Sequence, residues 1–213
     1  MLKYIFILFT FFNACTYDFN LREGDLLFQD LDDSPICDAI ELVTPGYKNG
    51  NFSHIGLIVS DNSKLLVLEA IPPKIILTEV NDFLSRSKDK DGNPKVIVGR
   101  LKEKYRHTIK NAIEFSKNKL GESYDNLFLI NNNSYYCSEL IYEAFLKDSI
   151  FNLYKMKFVH PENGEILPVW EEYYNNLNKE IPQNELGINP GVISISNKID
   201  IIYIYGAPDG MKN

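Results

Sequence analysis

The sequence predicts an α+β domain in which an antiparallel β-sheet or barrel packs against a helix that opens on a cysteine. Three observations carry this. Two apolar, β-branched-rich runs, 52–59 and 65–71, are separated by Ser60-Asp61-Asn62-Ser63-Lys64, which is turn chemistry, so they form an antiparallel hairpin. In 135–145, Cys137, Leu140, Ile141, Ala144 and Phe145 fall at i, i+3, i+4, i+7 and i+8, the spacing of one buried helix face. Further β-prone runs flank both, with no linker long enough to divide the chain.

In order, 1–15 reads as a secretory signal: Lys3 supplies a positive charge, an apolar run follows, and Ala14-Cys15 ends it. The run is too short to span a bilayer. Cys15 stands where bacterial lipoprotein signals place the residue that is lipidated, which predicts a membrane-anchored protein facing the periplasm or exterior; a cleaved, secreted form is the alternative. Residues 16–213 are then one domain.

Glu23-Gly24-Asp25 turns into a first strand, 26–29. Asp32-Asp33-Ser34-Pro35 caps a short helix with Ile36, Ala39, Ile40 and Val43 inward and Cys37 off the stripe. After the hairpin, 96–101 gives a third strand. An amphipathic helix over 105–120 follows, with Ile109, Ala112, Ile113 and Leu120 inward, His107 on its polar side and Gly121 as its stop. Asn131, Asn132, Asn133 and Ser134 can supply the N-cap of the Cys137 helix. The stretch 150–174 is irregular or helical, with the lone Trp170, and His160 is a loop residue. Strands at 192–195 and 201–205 close the chain.

Net charge −7 and a pI near 5.0, with basic residues scattered, exclude a nucleic-acid partner. His54 and Glu69 are each the one strongly polar side chain inside an apolar strand. With a turn at Asp61-Asn62, pairing partners have numbers that sum to 123 and the two stand opposite; in a loop centred one position later the sum is 125 and they are diagonal neighbours. Both registers put them on one face. A buried ionisable group needs a partner, so each accounts for the other. They are either a structural stitch across the sheet or a base and the group that orients it. Cys137 at a helix start gains from the free N–H groups and dipole that favour a thiolate, although a lone helical cysteine is also an ordinary core residue. With Cys15 processed, Cys37 and Cys137 remain, and in an oxidising compartment they are also a candidate disulfide. A Cys-His-Glu zinc site is disfavoured by the lack of closely spaced ligand pairs.

Chain order His54, Glu69, Cys137 is the reverse of papain's, where the cysteine comes first. With Gly24-Asp25-Leu26-Leu27-Phe28, Phe52-Ser53-His54-Ile55-Gly56, Leu68-Glu69-Ala70, Tyr124-Asp125 and Tyr136-Cys137-Ser138-Glu139-Leu140, it resembles the circularly permuted NlpC/P60 proteins, the YiiX/YaeF-like papain-like amidases. The resemblance implies that fold, Cys137 as nucleophile, His54 as base and Glu69 as third member. It implies no metal or organic cofactor and a peptide or lipid-linked amide of the cell envelope as substrate. Tyr136, Ser53 and Tyr124 are candidate substrate-binding residues by position, and the Cys137 N–H is a candidate oxyanion donor. Peptidoglycan stem peptides are the expected substrates. The alternatives are a lipid amidase, thioesterase or acyltransferase of the lecithin:retinol acyltransferase type, and a non-catalytic envelope binding protein. A polar, charged pocket fits a stem peptide; a long apolar one fits an acyl chain.

Overall fold

The computed structural model describes residues 19–212, so the predicted signal and Cys15 lie outside the described residues. Chain order is β1 (Leu26–Gln29), α1 (Pro35–Val43), β2 (His54–Asp61), β3 (Lys64–Ile71), β4 (Lys74–Glu79), α2 (Val80–Ser85) and β5 (Val96–Leu101). It continues through α3 (Ile109–Lys117), α4 (Cys137–Ala144), β6 (Tyr154–Lys155), α5 (Pro168–Asn176), β7 (Leu186–Gly187), α6 (Pro190–Ser194) and β8 (Ile199–Ile204). Six strands form one antiparallel sheet in the order β4-β3-β2-β1-β5-β8, and β6 pairs with β7 apart from it. This is the predicted α+β class.

Alternation along the central strands separates two cores. Leu26, Phe28, Ile55, Leu57 and Leu68 pack with Leu140 and Ile141 of α4, whereas Leu27, Ile58, Val67 and Val98 pack with Phe83 and Leu84 of α2. Both faces of the sheet are therefore covered. That is why the central strands read as unbroken apolar runs, and why a carboxylate or imidazole inside one needs a partner.

The hairpin register is the diagonal one. Leu57 faces Leu68 and Asp61 faces Lys64, a pairing sum of 125. The two loop residues are Asn62 and Ser63, with φ of 47° and 65°, the left-handed pair that a tight hairpin turn demands and that asparagine tolerates.

Four expectations are corrected. Residues 192–195 are not a strand: Asn189 caps α6 by accepting from the Val192 N–H at 2.9 Å, and Pro190 opens its first turn. Leu120 is 40 % exposed because α3 stops at Lys117 and the chain turns through Gly121 (φ 87°). The start of the predicted 105–120 helix is a 3-10 segment over Glu103–Thr108. The polar run 131–134 does not cap α4, since Asn132 accepts from the N–H and hydroxyl of Ser134, and the Tyr136 N–H is met by Glu139 from inside the helix.

The Gly24-Asp25 pair anchors the sheet. Gly24 holds φ 85°, and a Cβ there would lie 2.5 Å from Ile109. Buried Asp25 accepts from Arg100 Nε and Nη2 at 2.6 and 2.7 Å and from the Arg22 N–H at 2.8 Å. Asp25→Ala strands a guanidinium against the sheet and is expected to cost about 3 kcal/mol in urea melts; a cost under about 0.5 kcal/mol would mean that solvent replaces the pair.

Candidate active site

Two element starts meet here. Cys137 is the first residue of α4 and His54 the first of β2, and both are buried. The thiol lies close enough to the imidazole to raise its pKa, and Sγ lies 3.8 Å from the Ser53 carbonyl oxygen. His54 Nε2 is 2.6 Å from Glu69 Oε2, which leaves Nδ1 for the sulfur.

Glu69 is held more firmly than its strand position required. Oε2 also accepts from Arg86 Nη1 at 2.8 Å, and Oε1 accepts from Arg86 Nη2 and Thr78 Oγ1, both at 2.5 Å. Thr78 lies on the neighbouring strand, one diagonal step from Glu69, which faces Ile76. Arg86 follows α2, with its guanidinium 5.2 Å from the centre of the Phe83 ring. Sequence reasoning missed both residues. Arg86 sits in a polar stretch, and only the unread strand β4 and helix α2 bring it back to Glu69.

The electrostatics follow from these contacts. Burial pushes the Glu69 carboxyl up, but Arg86 and His54 outweigh it and hold the group at about 2. Burial pulls His54 down, yet the Cys137 and Glu69 hydrogen bonds and charges raise it to about 9. A proton is therefore retained on the imidazole through neutral pH.

This pair gives stability a defined pH window. His54 has its folded value above its ordinary 6.5, so its contribution is complete below 6.5 and is lost as pH rises through about 9. Glu69 lies below its ordinary 4.5, so its contribution is complete above 4.5 and is lost as pH falls towards about 2. Thermal melts are expected to separate wild type from a His54→Gln, Glu69→Gln double variant most widely between pH 4.5 and 6.5. A separation that does not change with pH would contradict the assignment.

Cys37 sits differently. Burial, then its hydrogen bond to Asp33 at 3.0 Å, pushes its thiol up to about 12. Cys37 and Cys137 are both free thiols, so the alternative disulfide is not formed. His107 is exposed, and His160 lies in the loop where its Nδ1 accepts from the Glu162 N–H.

Cys137 opens on a cavity of ≈ 260 Å³, and Tyr136, Ser53 and Tyr124 all stand in its wall. The rest is largely apolar and aromatic, including Ile40, Phe128, Met156, Phe158, Trp170 and Ile188. The Cys137 N–H is in the first turn of α4, where helical N–H groups have no intrahelical acceptor. The wall is shaped by local bonds: Tyr136 Oη accepts from the Ile188 N–H at 3.1 Å, and Ser138 Oγ donates to the Ile188 carbonyl at 2.9 Å. Beneath α4, buried Glu139 is raised to about 8, first by burial and then by the charge of Asp125.

Among solved structures, one described as metalloprotein YiiX from Escherichia coli O157:H7 matches with a TM-score of 0.71 at 23 % identity, over 88 % of this chain and 98 % of that one. The uncharacterized protein YiiX of Escherichia coli K12 is 24 % identical over 175 residues, 81 % of each chain. Residues 20–198 match the family model of the permuted papain-like amidase enzymes. With a sheet, a helix-start cysteine and a reversed chain order that fit that description, the chain belongs to the permuted papain-like amidase enzymes of the YaeF/YiiX, C92 family, and is a cysteine hydrolase of that kind.

Proposed function

We propose that this amidase cleaves an amide whose acyl part is apolar, through Cys137, His54 and Glu69, outside the cytoplasm. The observation that carries the substrate reading is the aromatic and aliphatic wall onto which the thiol opens. That lining favours a lipid-type amide over a stem peptide, whose charged side chains would lose their hydration there.

In the proposed reaction, the proton shared by Cys137 and His54 already rests on His54 Nδ1, and Sγ attacks the amide carbon with the Cys137 N–H facing the developing oxyanion. The C–N bond breaks as His54 returns the proton to the leaving amine. Water then attacks the thioester, its proton passing to His54, and a carboxylic acid leaves with the thiol restored. Glu69 fixes the imidazole through Nε2 and supports its positive charge.

The solved relative is described as a metalloprotein, but the residues here do not fit a metal. Among the described residues one acidic group, Asp30, Asp32 and Asp209, offers oxygens within 4.8 Å of one another. Lys95 Nζ stands among them, at 3.3, 2.5 and 3.1 Å respectively, and supplies the positive charge itself. At Cys137 the imidazole lies between sulfur and carboxylate, so the three cannot converge on one ion.

For the address, we propose the signal at 1–15 with a lipid anchor at Cys15. Membrane partition of the full chain that is lost in Cys15→Ala would support it; partition unchanged by that substitution would oppose it. Substrate class is tested by incubating wild type and Cys137→Ala with N-dodecanoyl amides and with muropeptides. Cleavage of the acyl amides by wild type alone is expected, and cleavage of muropeptides alone would overturn the apolar-acyl reading.

A further inference from the structure

The cavity that Cys137 opens on carries a charge pattern unlike the rest of the chain. The sequence holds 29 acidic residues against 22 basic ones. Yet among the described residues the Lys, Arg, Asp or Glu side chains on the cavity wall are Lys155 and Lys157, and no Asp or Glu stands there. They are two residues apart on the segment that starts as β6, and Met156 between them is tied to the β7 side by its N–H and carbonyl. Among the described residues no ion pair includes either lysine.

A second observation has the same polarity. Trp170 lines this cavity, is 2 % exposed, and its indole N–H is buried without an acceptor. Three other polar groups of the wall are engaged locally. Ser138 Oγ donates to Ile188, Tyr136 Oη accepts from Ile188, and Asn189 Oδ1 accepts from Val192. The Thr44, Tyr124 and Tyr154 hydroxyls, which both donate and accept, also stand on the wall, whereas the two ammonium groups and the indole N–H are donors only. Their complement is an oxygen-rich group of negative charge.

We propose that the substrate is an anionic amphiphile, with an apolar acyl part inside the cavity and a carboxylate or phosphate held by Lys155 and Lys157. The proposal rests on the apolar-acyl reading of the same cavity. Two unpaired cations in an otherwise acidic protein also give the encounter a direction, because the potential at this mouth attracts an anion that the remaining surface repels. Added salt weakens such an attraction.

The chain has one tryptophan, and it is in this wall, so its fluorescence reports binding without chemistry. Cys137→Ala protein is titrated with four ligands sharing one tail: N-dodecanoylglycine, N-dodecanoyl-O-phosphoethanolamine, neutral N-dodecanoylglycinamide and cationic N-dodecanoylethylenediamine. At least one anionic ligand is expected to bind on the order of tenfold more tightly than the neutral amide, with the cation weakest. The arm with the larger preference identifies carboxylate or phosphate as the source. K155Q/K157Q in the same background is expected to bring anionic and neutral ligands to equal affinity. Equal binding in the unsubstituted-lysine protein, or a preference that survives K155Q/K157Q, would overturn the proposal. Wild-type cleavage is followed in parallel: anion-selective binding without cleavage supports this proposal while contradicting the amidase chemistry assigned to Cys137, and binding of none of the four contradicts both.

Discussion

Cys137→Ala is expected to lower turnover of an acyl amide by at least about 10,000-fold, because Cys137 Sγ, beside the His54 imidazole, is the atom that forms the acyl intermediate in the proposed reaction. Cys37 cannot substitute, since burial and Asp33 hold its proton up to about 12. The fold should survive, as alanine removes only a sulfur from a buried helix start, and far-UV circular dichroism checks this. His54→Ala is expected to cost a comparable factor, and the double variant no more than either alone, since the two act as a unit. Costs that multiply would show that thiol and imidazole work independently.

The second large effect concerns the far side of the imidazole. Glu69→Gln keeps the shape but removes the charge that supports a protonated His54, and is expected to reduce turnover by about 1,000-fold or more. The profile should move too. With Glu69 neutral, burial pulls His54 down against the remaining contact with Cys137, so the alkaline limb falls from about 9 toward lower pH. Arg86 is a positioning residue that acts through Glu69. Arg86→Met removes the interaction that most lowers the Glu69 carboxyl, so the acid limb should rise from its position near 2. A merely structural arginine would change stability and leave both limbs in place.

Much of this site was legible because its residues break local patterns. His54 and Glu69 stand out as ionisable groups in apolar strands, and the two-residue side-chain period kept them on one face whichever loop closed the hairpin. Cys137 was visible as the first residue of a helical stripe. Arg86 and Thr78 broke no pattern. An arginine after a short helix and a threonine in a strand are ordinary locally, and their meaning comes from the fold of β4 and α2 back onto β3. The strand predicted at 192–195 failed for a related reason: β-branched composition was overridden by an asparagine cap and a proline three and two residues earlier. Cavity chemistry lay furthest from the sequence, because its wall gathers residues between Ile40 and Val192 that no spacing relates.

The linkage between one sulfur and one imidazole is read most directly by alkylation rates. Purified protein is treated with iodoacetamide across pH 5 to 10, and labelling at Cys37 and Cys137 is quantified by peptide mass spectrometry. Cys137 is expected to label rapidly at neutral pH and slowly once His54 is replaced by alanine, with Cys37 inert in both. Equal labelling of the two cysteines, or a Cys137 rate indifferent to His54→Ala, would contradict the account.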